Sequence, residues 1–444
     1  MTEPARADCI VSGGTVLTMT DEVPHPDWSV VIEGSLVAAV GPDEELAGRY
    51  HADEIVDAAG CVVMPGLVNA HTHAAMSLFR GIADDLPLTT WLTEHIFPAE
   101  ARNLTADFVA TGTRLACAEM LLGGITTFCD MYLFEEAVAR AAREMKMRGV
   151  LGEVLYDFPS PSYGELEAGW EWTRRFIETW RDDDLITPSV QPHALDTCSP
   201  ELLQRARAMA SEYGVPLIAH VAESRANLEH ALATYGKRSF HHLEDLGVLE
   251  GPFTAVHAVH VDDAELEIMA RHQVAVVSNP ESNMKLASGA APIHRCLERG
   301  LAVGIGTDGC ASNNNLDLFG EMDSLAKLHK LCDADPTHLD AHTVVRLATV
   351  EGARAIGLGE WVGRLEPGLK ADLIVIDFDA PHLTPCYDPV SHLVYAARAS
   401  DVRDTMVNGE FRVRSGELVE ADLEEIVAGA RACAEDVRAG FETS

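Results

Sequence analysis

Residues 8–64 alternate Val and Ile with polar positions in short runs, "CIVSGGTVLTM", "SVVIEGSLVAAVG" and "EIVDAAGCVVMPG", separated by Gly or Asp. A period of two bounded by turn residues predicts strands. The same texture returns at 366–419 in "EPGLKADLIVIDFD" and "DTMVNGEFRVRSGEL". The two ends of the chain are therefore expected to pair into one small β-sandwich. Between them the pattern changes. Apolar runs of strand length ("VVMPGLVNA", "TTFCDM", "GVLGEVLYD", "ITPSVQPH", "VPLIAHV", "FTAVHAV", "VAVVSN", "LAVGIGTD") alternate with helical patterns. One of the latter, "SPELLQRARAMASEYG", opens on a Ser cap. Eight strands alternating with helices predict an α/β fold built on a parallel (β/α)8 barrel. The expected limits are 1–64 for the first part of the sandwich, 65–365 for the barrel, and 366–444 for the rest of the sandwich with a terminal helix.

Composition narrows the partners. The chain has 444 residues, 47% of them hydrophobic, enough for a large core. The start, "MTEPARADCIVSGG", is polar, and no apolar run approaches the ~20 residues of a membrane span. Ten cysteines stand singly with no CxxC pair, a pattern of reduced thiols that points to a cytoplasmic protein. Seventy acidic residues against 33 basic ones leave a net charge of −37, and only six of the basic residues are Lys. An acidic shell of that size argues against nucleic acid or an anionic membrane as partner. Because it is spread along the whole chain, it is not a disordered tail. Adaptation to high salt, where screening relieves self-repulsion, and the bias of a GC-rich genome towards Arg both account for it.

In a barrel of this kind the chemistry lies at the C-terminal ends of the strands. His71 and His73 stand there in "PGLVNAHTH". Residues i and i+2 of a strand face the same way, so two imidazoles at that spacing can grip one ion. His193 ends the fourth strand, His220 the fifth with Glu223 three residues on, His257 and His260 the sixth, and Asp308 the eighth. Metal-competent side chains thus stand at five of eight strand ends. Two or three imidazoles and a carboxylate around an open position form a catalytic transition-metal site, usually zinc.

The strings "PGLVNAHTH", "DDLPLTTWLTEHIFPAE", "SNPESNMKLASGAAPI" and "GTDGCASNNN" resemble the amidohydrolase superfamily from about Ile10 to about Leu418. The match is to its branch of methylthioadenosine and S-adenosylhomocysteine deaminases, with their triazine hydrolase relatives. The resemblance implies a distorted barrel plus β-sandwich, with His71, His73, His220 and Asp308 as metal ligands. It also implies His257 and Glu223 as catalytic groups. Some superfamily members bridge two metals through a modified Lys after the fourth strand. No Lys occurs between 147 and 236 here, so one divalent metal per subunit is expected, zinc first, with iron and manganese as alternatives.

A bound divalent ion lowers the pKa of its water to ~7. Asp308 would touch the metal and accept the water proton, His257 would orient the hydroxide, and a protonated Glu223 would act as general acid at the purine ring nitrogen. By resemblance Trp91 borders the substrate, Glu100 accepts from the ribose hydroxyls, and His193 is a further contact; His260 is read as structural. Glu153 aligns with an Arg that meets the substrate carboxylate in members accepting S-adenosylhomocysteine. An acid there would repel that group, favouring methylthioadenosine, 5′-deoxyadenosine or adenosine. Guanine deamination and triazine amino- or chlorohydrolysis use the same ligands and stay open, as does a homo-oligomer.

Overall fold

The computed structural model describes residues 4–86 and 90–442. The extreme ends of the expected outer domain, and residues 87–89 of the motif that carries Trp91, lie outside the described residues. Strands β1 (Ala5–Val16), β2 (His25–Glu33), β3 (Leu36–Pro42), β4 (Tyr50–Asp57) and β5 (Cys61–Pro65) come first. The barrel follows with β6 (Leu67–Thr72), β7 (Ile125–Tyr132), β8 (Arg148–Leu155), β9 (Ile186–Pro188), β10 (Gln191–Pro192), β11 (Leu217–Val221), β12 (Phe253–His257), β13 (Ala275–Ser278) and β14 (Val303–Ile305). Strands β15 (Leu373–Asp377), β16 (Val402–Val407), β17 (Glu410–Arg414) and β18 (Glu417–Leu418) return to the first sheet.

All ladders among β6–β14 are parallel. Their residues are almost all buried, as in a sheet covered on both faces, which is why the sequence shows continuous apolar runs there. Strands β9 and β10 are two pieces of one stave, both paired to β8. The ladder gives way at two seams, where the described strands are joined by the isolated bridges Thr72–Asp308, Val190–Leu217 and Ala194–His220. These seams distort the barrel, and site residues stand at both.

The outer sheet runs β18-β17-β16-β15-β5-β1-β2-β3, with β4 on β1. One face of it, including Val11, Val30, Ile32, Val63, Val375 and Met406, closes on a single apolar cluster, so the sheet bends into a sandwich. The opposite parity of β5 and β15 (Val62, Met64, Ile374, Ile376) packs into the barrel core. A buried bidentate pair ties the two parts together: Arg148 of β8 donates from Nε and Nη2 to Asp372 at 2.7 and 3.1 Å. The apolar run "VVMPGLVNA", expected as one strand, is broken at Gly66 into β5 and β6. A Cβ at Gly66 would lie 2.1 Å from the Thr126 hydroxyl, so only glycine lets the chain pass from one sheet to the other here. Among the described residues no helix is long and apolar enough to cross a membrane.

Candidate active site

Four side chains converge at the barrel's C-terminal mouth. His73 Nε2 lies 3.2 Å from Asp308 Oδ1, and His71 Nε2 lies 3.5 Å from the same oxygen. His71 Nε2 and His220 Nε2 are 3.2 Å apart. The remaining ring nitrogens set the tautomers. His220 Nδ1 donates to the His193 carbonyl at 2.9 Å, and His73 Nδ1 donates to the Met131 carbonyl. His220 Nε2 therefore presents a lone pair. Against the effect of burial, the bond to Asp308 raises His73 to about 9, so its Nε2 proton has to leave before it can be a ligand. Burial brings His71 down to about 4 and His220 well below its usual range, so both rings are neutral at pH 7. For Asp308 burial acts in the opposite sense, but the bonds to His71 and His73 hold it well below the usual carboxylate range. The donor set fits a divalent transition metal. Ligands at 2.0–2.1 Å in a tetrahedron are separated by about 3.3–3.4 Å. The three separations above bracket that length, and the donors form two triads, His71–His73–Asp308 and His71–His220–His257, that share His71. His71 Nδ1 is buried without a hydrogen-bond partner, so without an ion the proton of its neutral ring sits on Nε2, facing Asp308 Oδ1 and His220 Nε2.

His257 and Glu223 adjoin this group. His257 ends β12 with φ +73°, and Asp308 follows β14 with φ +59°. Left-handed backbone at non-glycine residues costs roughly 1 kcal/mol or more and marks places where the chain is bent to aim a side chain. His257 Nδ1 lies 3.0 Å from Asn283 Oδ1, and its Nε2 lies 3.8 Å from Glu223 Oε2. Burial raises the Glu223 pKa. Asp308 Oδ2 accepts from the Ser282 hydroxyl at 2.7 Å, leaving Oδ1 for the histidines.

His73, His220, Glu223, His257 and Asp308 border a cavity of about 500 Å³, within the range of small-molecule sites. Trp91, Glu100 and His193 line it too. Glu100 accepts from the Tyr132 hydroxyl at 2.7 Å, and burial raises it to about 7. His193 Nδ1 lies 2.8 Å from Thr197 Oγ1. Much of the wall is apolar, with Phe97, Met131, Tyr156 and Phe158 among its members, and no Lys or Arg is among the described residues that line it.

Glu153 is not brought to the cavity. Its fully buried carboxyl accepts from the backbone N–H groups of Phe134 and Glu135, at 3.2 and 2.9 Å, and from the Ser162 hydroxyl. Burial raises it to about 7. It closes the loop behind β7, so the repulsion expected from an acid facing a substrate carboxylate has no basis at this position. His260 likewise stays outside, with Nε2 on the Ser288 carbonyl at 2.9 Å.

Some polar residues here were not singled out from the sequence. Ser282 and Asn283 lie inside a quoted signature string, but their partners are distant along the chain. Asp130 Oδ1 accepts from Ala74 N at 2.6 Å and fixes the turn directly after His73. Asp130 Oδ2 and Glu135 Oε2 are buried without a hydrogen-bond partner, and each carboxyl acts on the charge of the other. Such a pair needs one shared proton. Burial first, then Asp130, raise Glu135 well above the carboxylate range. A raised folded-state value means the stability is fully present below the ordinary carboxylate range and is lost as pH rises through the folded value. Glu135→Gln puts a permanent N–H in place of the proton. Melting curves from about pH 5 to about pH 9 should show the variant gaining on the wild type as pH rises; parallel curves would rule out the shared proton.

Residues 62–412 match the profile of the amidohydrolase family. A Syntrophobacter fumaroxidans protein named 5-methylthioadenosine/S-adenosylhomocysteine deaminase is 54% identical over 98% of this chain and 99% of its own length. A Methanosarcina mazei protein named 5′-deoxyadenosine deaminase is 44% identical over 97% and 98% of the two chains. The crystal structure of an adenosine deaminase from Xanthomonas campestris with bound zinc superposes with a TM-score of 0.97 at 36% identity, covering 98% of this chain and 100% of that one.

Proposed function

We propose that this chain, which belongs to the amidohydrolase family, deaminates an adenosine-type nucleoside hydrolytically with one divalent metal held by His71, His73, His220 and Asp308. The observation that carries the reading is the pair of metal-competent triads, His71–His73–Asp308 and His71–His220–His257, sharing His71 beside a cavity that Glu223 also lines. Zinc suits these ligands, and the similar Xanthomonas campestris enzyme carries it. When bound, the metal supplies Lewis acidity and makes water a nucleophile at neutral pH.

The protein's own groups handle the protons. Asp308 takes the proton that the attacking water gives up. His257, with Nδ1 set on Asn283, turns Nε2 to the cavity and orients that water. Glu223 holds a proton that burial favours and delivers it to the purine ring nitrogen as the C6 carbon is attacked. Asp308 then returns its proton to the amino group, and the C6–N6 bond breaks as ammonia leaves. The C6 hydroxyl gives up its own proton, which restores the Glu223 acid and forms the C6 carbonyl. Trp91 borders the base, Glu100 accepts from the ribose hydroxyls through the oxygen left free by Tyr132, and His193 lies beside them.

The wall also supports a preference at the 5′ end. Its charged groups besides the histidines are Glu100, Asp196, Glu223 and Asp308, with no Lys or Arg among the described lining residues. Methylthioadenosine and 5′-deoxyadenosine bring a neutral group to an apolar surface. S-adenosylhomocysteine brings a carboxylate that gains no partner, and an unpaired charge in a partly closed site costs well over the 1.4 kcal/mol that corresponds to tenfold. Ammonia release across methylthioadenosine, 5′-deoxyadenosine, adenosine, S-adenosylhomocysteine, guanine and a triazine tests both levels. At least about tenfold higher kcat/KM is expected for one of the first three over S-adenosylhomocysteine. Equal efficiency on S-adenosylhomocysteine would remove the 5′ preference, and turnover of guanine or the triazine alone would remove the nucleoside.

A further inference from the structure

We infer that the short helix Pro280–Lys285 is a positioning device for both proton-handling groups, acting through Ser282 on Asp308 and through Asn283 on His257. The claim rests on the roles proposed above for those two groups. The helix rises directly from β13, which lies between β12 and β14 in the barrel. His257 ends β12 and Asp308 follows β14, so an element on top of β13 has one of them on each side. Successive helical residues point about 100° apart, which lets two consecutive side chains address opposite neighbours.

Both side chains are buried, Ser282 at 0% and Asn283 at 2% exposure. The Ser282 hydroxyl donates to Asp308 Oδ2 at 2.7 Å, with Ser312 Oγ 3.0 Å away. With Oδ2 engaged, rotation of the carboxylate is blocked and Oδ1 stays on the histidines. Asn283 Oδ1 lies 3.0 Å from His257 Nδ1, closer than Asn279 Nδ2 at 3.3 Å. The shorter contact is the one an Nδ1–H makes, and it leaves the Nε2 lone pair towards Glu223 and the cavity. The helix is itself pinned. Buried Glu321 accepts from Glu281 N at 3.1 Å and from the Asn313 amide, which belongs to the loop after Asp308. Helix and loop therefore hold one another in register.

Outer partners of this kind are typically worth ~10–100-fold in activity. Ser282→Ala and Asn283→Ala in the metal-loaded full-length enzyme should each lower kcat by about that factor, with KM within about twofold and metal content and melting temperature close to wild type. Asn283→Asp keeps an acceptor on Nδ1 and should recover most of the loss. Activity of both alanine variants within about twofold of wild type, losses carried by KM or by lost metal, or no recovery in Asn283→Asp would overturn the inference. Glu223→Gln and His257→Ala run in the same assay separate the two levels. If they stay active, the proposed roles fall; if they are inactive while the Ser282 and Asn283 variants are not, the positioning claim alone falls.

Discussion

Removal of the divalent ion by a chelator is expected to leave folded protein whose deaminase activity is lower by at least ~10³-fold, restored by added Zn²⁺, Mn²⁺ or Fe²⁺. The size follows from the nucleophile. Free water has a pKa of ~15.7 and a zinc-type site brings it to ~7, so hydroxide at neutral pH falls by many orders of magnitude without the ion, only part of which a stronger free nucleophile recovers. The protein offers no substitute. Asp308 is held well below the usual carboxylate range by His71 and His73 against the effect of burial, and a carboxylate that weakly basic cannot deprotonate bulk water. The same geometry predicts a loss of stability on chelation. Binding to the folded state alone contributes RT ln(1 + [metal]/Kd). The melting temperature should therefore fall with the chelator and recover with the metal. Full turnover in a preparation shown by elemental analysis to contain no metal would remove the site.

What was legible in the chain followed from periodicity and local spacing. The barrel staves were readable because buried parallel strands are continuous apolar runs. His71 and His73 were readable as a pair because an i, i+2 spacing at a strand end fixes their common direction. The break at Gly66 was not, because β5 and β6 are both apolar and only the Thr126 side chain, sixty residues on, forbids a Cβ there. Glu153 shows the limit of alignment. A strand-end position resembling a substrate contact was instead claimed by two backbone N–H groups of the preceding loop, a local competition no pattern reveals. Ser282, Asn283 and Asp130 were missed for the same reason. Each works through a partner at least 26 residues distant, and a serine or asparagine in a loop-rich string looks like ordinary capping chemistry until the fold brings that partner in.

Glu223→Gln should keep the fold and the metal and lose about 10²–10⁴ in kcat. The side chain follows β11 by two residues, past Ala222 at φ +54°, a turn that swings it over the cavity beside His257. It belongs to neither of the clusters able to hold a metal, so amide replacement leaves the ligands intact. Glutamine has nearly the same shape and can still donate a hydrogen bond to a ring nitrogen, so KM should change little. What it cannot do is give up the proton as charge builds on that nitrogen, and the entire effect should lie in kcat. The pH dependence carries a second signature. Burial raises the Glu223 pKa, and the protonated form is the active one, so wild-type kcat should fall on the alkaline side as the folded-state value is passed. The residual activity of the glutamine variant, with no proton to lose there, should lack that limb. Glu223→Asp, which keeps the acid but withdraws it by one methylene, should fall between the two. A loss smaller than about threefold in Glu223→Gln, or an alkaline limb that survives it, would move the general acid to another group, with His257, 3.8 Å away, the next to test.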